Sequence, residues 1–167
     1  MIYSRPIRTL AACDGRYPTE AEEGAVLSWA GSLPKRLQAA NIISQKEDEI
    51  VRESIEYVKA RYPRVGAQHD RNYEKAERDT QLLLRYAVQG MVVDDAEMPR
   101  EKVYVWYGVI VRGLGLTPAL LRDACEGVTE ACRGHLAPDV FAVAEPYLRR
   151  MADDVSAFPE PTKPAVH

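Results

Sequence analysis

Between Asn72 and Val92, Ala76, Thr80, Leu83, Leu84, Ala87, Met91 and Val92 recur at steps of three and four residues. That spacing places them on one stripe of an α-helix; a strand would alternate at every second residue. A stripe of this length needs apolar neighbours to cover it, and the rest of the chain reads as helices able to do so.

Ser4 precedes a short helix that Asp14-Gly15 ends. Thr19 and Glu22 form a capping box, with a hydroxyl and a carboxylate satisfying each other's backbone N–H groups. The helix it opens is expected to fade at Gly31-Ser32, with a third running from Pro34 to Ile43. Ser44 and Glu47 read as a second box, opening a helix that ends before Pro63. A helix from about Arg100 is expected to turn Val103, Trp106, Val109 and Ile110 inward and to stop at Gly113-Leu114-Gly115. Thr117-Pro118 opens the next, with Leu121, Ala124, Val128 and Ala131 inward. Pro138-Asp139 opens the last, with Phe141, Ala144, Tyr147, Leu148 and Met151. The fold class is all-α.

With 167 residues, 46% hydrophobic and 28% charged, the chain can bury one core without splitting. The expected domain spans residues 1–155, with 156–167 as a loose, proline-rich tail. A net charge of −3 gives no field to hold nucleic acid. No apolar run reaches the roughly 18–20 residues of a membrane span, and the N-terminus lacks a secretory pattern. Cys13, Cys125 and Cys132 fit neither a disulfide framework nor a zinc site, so a cytoplasmic location is expected.

Nucleophile elbows, phosphate-binding loops and metalloprotease motifs are absent, and no enzyme is read here. His69, in a loop before the long helix, leaves a haem globin open as an alternative. The more informative group lies on the helix itself. Arg71, Lys75 and Arg78 share one flank, and Asn72, Ala76, Asp79, Leu83 and Tyr86 form the adjoining stripe. Cations, one carboxylate and apolar neighbours suit a ligand with carboxylates, an apolar body and N–H donors. An ordinary Lys75–Asp79 surface ion pair explains the same spacing.

The run from Arg71 through Asp79, continued by Leu84-Arg85-Tyr86-Ala87 and Met91, resembles the chromophore helix of the phycobiliproteins. Asp14-Gly15-Arg16-Tyr17, then Arg36 with Ala39-Ala40-Asn41, resembles their N-terminal region. Leu114-Gly115-Leu116-Thr117-Pro118 is similar to their L-G-V-P turn. The collinear likeness runs from about Thr9 to Met151.

It implies a globin-like bundle with an added N-terminal helical pair, holding a linear tetrapyrrole (a bilin). By resemblance Asp79 accepts hydrogen bonds from the central pyrrole N–H groups and Arg78 pairs with a propionate. Arg71 and Lys75 would be further propionate partners, with Asn72, Leu83, Tyr86, Trp106 and Tyr107 around the pigment. The family's attachment cysteine falls at Ala76, which has no sulfur for a thioether; attachment elsewhere, as at Cys132, is the alternative. A shorter loop from Tyr62 to Asp70 would alter one wall of the pocket.

The sequence is similar to the globins associated with bilin biosynthesis in non-photosynthetic bacteria. That likeness implies non-covalent binding of biliverdin or a reduced bilin by a carrier, product-holding protein or sensor, with a bilin reductase as partner. Residues 1–32 would serve dimerisation, with a copy of the chain or a paralogue. Asp14 and Arg85 would pair across the boundary, and Tyr3, Ile7 and Leu10 would pack there with Ile2, Val26, Leu27 and Trp29. A ligand-free helical partner protein is the third reading.

Overall fold

The computed structural model describes residues 5–64 and 71–157, excluding the side chains of residues 5 and 71–73. Eight α-helices follow in order: α1 (Arg5–Ala11), α2 (Glu20–Gln45), α3 (Glu47–Arg61), α4 (Arg71–Val93), α5 (Glu97–Pro99), α6 (Val105–Gly113), α7 (Pro118–His135) and α8 (Pro138–Val155). A π-helical turn, Arg100–Tyr104, joins α5 to α6. There are no strands among the described residues, and no helix is long and apolar enough to cross a membrane.

The long helix forms as its periodicity requires. Leu83, Leu84, Ala87 and Met91 of α4 are buried with Leu148, Met151 and Val155 of α8. Helix α8 packs on α7, α4, α2 and α6, so it occupies the middle of the bundle. Helix α3 crosses α7 closely because position 127 has no side chain. A Cβ on Gly127 would meet Tyr57 and the Ser54 carbonyl at about 3 Å.

Three features depart from the sequence expectation. Pro34 does not divide two helices: α2 runs through it, although an interior proline costs roughly 3 kcal/mol in helix propensity. Side chains restore bonding around the disturbed turn, with Ser32 Oγ and Arg36 both donating to the Trp29 carbonyl, at 2.9 and 2.6 Å. Ser44 does not cap α3 either. It lies inside α2, the cap position is Lys46, and no side chain bonds there. Glu47, read as the reciprocal half of that box, pairs with Arg85 instead.

The third departure shapes the site. Trp106, Val109 and Ile110 point outward, with 45, 68 and 50% of their surface exposed, while Tyr104, Gly108 and Val111 are buried. The π-turn is the reason. Its wider i→i+5 loop accommodates one extra residue, which advances the helical phase beyond it. Val103 is buried as expected, but from Tyr104 onward the inward face lies one residue later. At the other end of the bundle, Ser156 is buried and its hydroxyl bonds the Ala152 carbonyl, so the packed chain extends one residue past the expected boundary.

The N-terminal region is organised differently. The Thr19–Glu22 capping box forms as read, but α2 buries no residue before Arg36. Helix α1 is tied to the bundle by Arg8, which pairs with Asp95 at 2.9 Å.

Candidate functional site

The π-turn packs on α4, and its Tyr104 donates to the Leu83 carbonyl at 3.4 Å. One turn along α6, the Tyr107 hydroxyl reaches Asp79 Oδ2 at 3.5 Å, the far limit of a hydrogen bond. Asp79 and Tyr107 are half-buried. Tyr107 also lines a cleft of about 40 Å³, together with Thr80 and Leu83 of α4, Cys125 and Val128 of α7, and Met151 of α8.

Its chemistry follows from partial burial. Desolvation pushes the Asp79 carboxyl above its ordinary value; the Tyr107 hydroxyl and the Arg78 and Lys75 charges oppose that shift. The Tyr107 hydroxyl is pushed up by burial and by the neighbouring carboxylate. Arg78 and Lys75 are exposed, and neither makes an ion pair among the described residues. The ordinary Lys75–Asp79 surface pair is therefore not formed. Among the described residues Asp79 thus has one long hydrogen bond, from a tyrosine that lines the apolar cleft, and two cations without ion pairs on its flank.

The expected site residues separate into groups. Asp79, Leu83 and Tyr107 come together, and half-buried Ala76 lies one turn before Asp79. Tyr86 packs against the core away from the cleft lining. Trp106 stands on the exposed flank of α6, its indole N–H donating to the Lys102 carbonyl. The side chains of Arg71 and Asn72 lie outside the described residues, as do Ile2, Tyr3, His69 and most of the loop between α3 and α4.

Cys125 lines the cleft and Cys132 lies in the core. Burial pushes both thiols up to about 12, so neither offers a thiolate for pigment attachment at neutral pH. His135 bonds Glu53 at 3.1 Å at the surface, far from the cleft-lining set. Thr80 and Cys125 were not among the expected site residues. Thr80 shares the α4 stripe, whereas no pattern within one helix links Cys125 to Asp79.

Of the residues expected at a dimer boundary, one is already paired within the chain. Arg85 makes two bonds to Glu47 of the same chain, at 2.5 and 2.7 Å, while Asp14 is exposed. Ile7 and Leu10 are half-buried between α1 and its surroundings, and Leu27 is 72% exposed.

A family model described as phycobilisome protein matches residues 9–155. The chain belongs to the phycobilisome protein family, as the collinear resemblance indicated and as the all-helical architecture agrees. Members of this family are bilin-binding chromophore proteins that assemble into oligomers, and the family implies a linear tetrapyrrole as ligand. A search of curated proteins finds no match.

Proposed function

We propose that this phycobilisome-family chain binds a biliverdin-like bilin reversibly, with no thioether at position 76 and no chemistry performed on the pigment. The observation that carries the reading is Asp79, half-buried beside the Tyr107 of an apolar cleft and, among the described residues, with a single long hydrogen bond. Pyrrole N–H groups would supply the donors that this carboxylate lacks, and charge-assisted hydrogen bonds are the strong ones. Arg78 and Lys75 have free charge to offer propionates.

A ligand of this size does not fit within about 40 Å³, since organic ligands occupy roughly 300–1,000 Å³. The pigment would lie across the cleft mouth, with the outward Trp106 and Ile110 of α6 meeting its apolar edge. Surface seating without a covalent tether suits a carrier or product-holding protein that releases its pigment to a bilin reductase. The N-terminal arm, with Asp14 and Arg85 beside it, would join two such chains; Arg85 would then share its guanidinium between Glu47 and the partner.

Purified protein mixed with biliverdin should gain a red absorption band, and the colour should leave the polypeptide on a denaturing gel. Asp79→Ala should shift or bleach that band more than Lys75→Ala does. Absence of binding at micromolar concentration would overturn the proposal; equal, negligible effects of the two substitutions would remove Asp79 from the site.

A further inference from the structure

The helices that carry Asp79 and Tyr107 are joined through one corner, which two adjacent acids hold. Helix α4 ends with two reciprocal bonds: the Asp94 N–H donates to the Met91 carbonyl at 3.2 Å and the Asp95 N–H to the Gly90 carbonyl at 2.9 Å. This ending requires a left-handed residue, usually glycine. Here that residue is Asp94, with φ at 56°, a backbone that L side chains adopt at a cost. The Tyr147 hydroxyl of α8 holds it there by donating to Asp94 Oδ1. Gly90 lets the next segment close in, because a Cβ at that position would stand 2.7 Å from the Pro99 ring.

Asp95 faces two ways. Its Oδ1 accepts from the Glu97 and Met98 N–H groups at 3.1 and 3.3 Å, at the start of the helical run that continues through the π-turn into α6. Its Oδ2 accepts from the Arg8 guanidinium of α1 at 2.9 Å. The pair is unequal, with 56% of the Arg8 side chain exposed and only 7% of the Asp95 side chain. Arg8 is solvated with or without its partner. The carboxylate is committed to the interior, and Arg8 is its only ion-pair partner among the described residues. A buried carboxylate stripped of its cation gains by turning toward water, which loosens its hold on the two N–H groups.

We propose that Arg8 and Asp95 are positioning residues for the pigment site: α1, docked on this corner, orders the run from Glu97 to Gly113 and so presents Tyr107 to Asp79. The link to a pigment rests on the bilin reading of Asp79; the ordering of α6 does not. The path is contiguous. Arg8 fixes the Asp95 carboxylate, which fixes the start of the run. Tyr104 fixes its middle through the Leu83 carbonyl, and Tyr107 follows one turn later. Helix α1 supplies none of the cleft lining, yet an arm drawn away from the corner would loosen the wall that faces Asp79.

Hydrogen–deuterium exchange on the pigment-free full chain tests the ordering without any bilin. Arg8→Met should speed exchange across residues 97–113 by about three- to tenfold, the scale of a charged hydrogen bond with one half-exposed partner. Residues 121–132 of α7 should be unchanged, and Arg8→Lys should keep most of the protection. Asp95→Asn retains an acceptor for the two N–H groups but loses the charge, so it should match Arg8→Met. The double variant should do no more than either substitution alone, because both remove the same link. Excess biliverdin should restore protection of residues 97–113 in Arg8→Met, since a ligand held against ordered α6 favours that state. Faster exchange confined to residues 5–11 would overturn the proposal by reducing the pair to a tether for α1, and additive effects of the two substitutions would overturn it as well. Biliverdin that binds without restoring protection would overturn the positioning role at the pigment site. No biliverdin binding by the parent chain would sink the bilin reading and with it that role, while the exchange data would still decide the link from Arg8 to α6.

Discussion

The bundle and the N-terminal arm meet within one helix, α2, and differ in what holds them. From Arg36 onward α2 buries Ala39 and Ile43 against the core; before it, no residue is buried and Leu27 is largely exposed. The bundle is stabilised by apolar burial around α8. The arm relies on its capping box, Arg8–Asp95 and packing of α1 on α2. Apolar surface left open on an arm of this kind is material for another protein surface; the bundle leaves such surface on the outer face of α6, at Trp106, Val109 and Ile110.

Arg36 is the joint between the two. Only 2% of it is exposed, yet it has no carboxylate partner among the described residues. Its guanidinium donates to the carbonyls of Met91 and Val92 at 3.2 and 3.0 Å, and to Trp29 on the arm side. Met91 and Val92 belong to the last turn of α4, where orphan carbonyls carry the negative end of the helix dipole and favour a cation. One side chain thus ends the site-bearing helix and steadies the proline-disturbed turn of α2.

Substitutions on the two sides should separate them. The largest effect belongs to the bundle: Leu84→Ala should lower unfolding free energy by about 2–5 kcal/mol in urea denaturation. At the joint, Arg36→Met removes one donor from each of three carbonyls, of which Trp29 keeps Ser32 and Met91 keeps the Asp94 N–H, and should lower it by about 1–3 kcal/mol, with the melt losing cooperativity between arm and bundle. At the site, Asp79→Asn should weaken bilin binding by roughly 10- to 100-fold, the scale of a hydrogen bond to a charged group, in an absorbance titration.

The same substitution should stabilise the pigment-free chain. The folded Asp79 carboxyl is raised above its ordinary 3.8, so the folded state binds its proton more tightly than the unfolded state. The associated stability is present below that value and is lost as pH rises through the folded pKa. The Asn variant should therefore match the parent at the acid end and exceed it above. Bilin binding to the ionised form should strengthen over the same interval. Smallest of all, Leu27→Ala should change unfolding free energy by less than about 0.5 kcal/mol while lowering the apparent mass on a sizing column, if the arm joins two chains. An undiminished assembly would break the contrast between arm and bundle.

How much of this was legible depends on whether the signal is local. Helix α4 was readable because its stripe runs unbroken from Ala76 to Val92, and the capping box because both partners lie within one turn. The continuity of α2 was not, since the groups that restore bonding around Pro34 include Arg36, whose position is set by α4. Nor was the face of α6, because periodicity assumes a constant residue count per turn and the π-turn alters it. At the candidate site, the charge pattern around Asp79 was visible on one helix, and the role proposed for it came from family resemblance. The Tyr107 contact, 28 residues away, was beyond any reading of spacing.

The π-turn also decides which side chains α6 presents outward. Were Arg100–Tyr104 to wind as ordinary α-helix with every residue kept, the segment after it would rotate by about 100°, and the tyrosine facing Asp79 would leave it. Removing one residue there would instead take up the wider turn and leave α6 in register. A single-codon deletion at that place would therefore cost the bulge and spare the lining of the cleft.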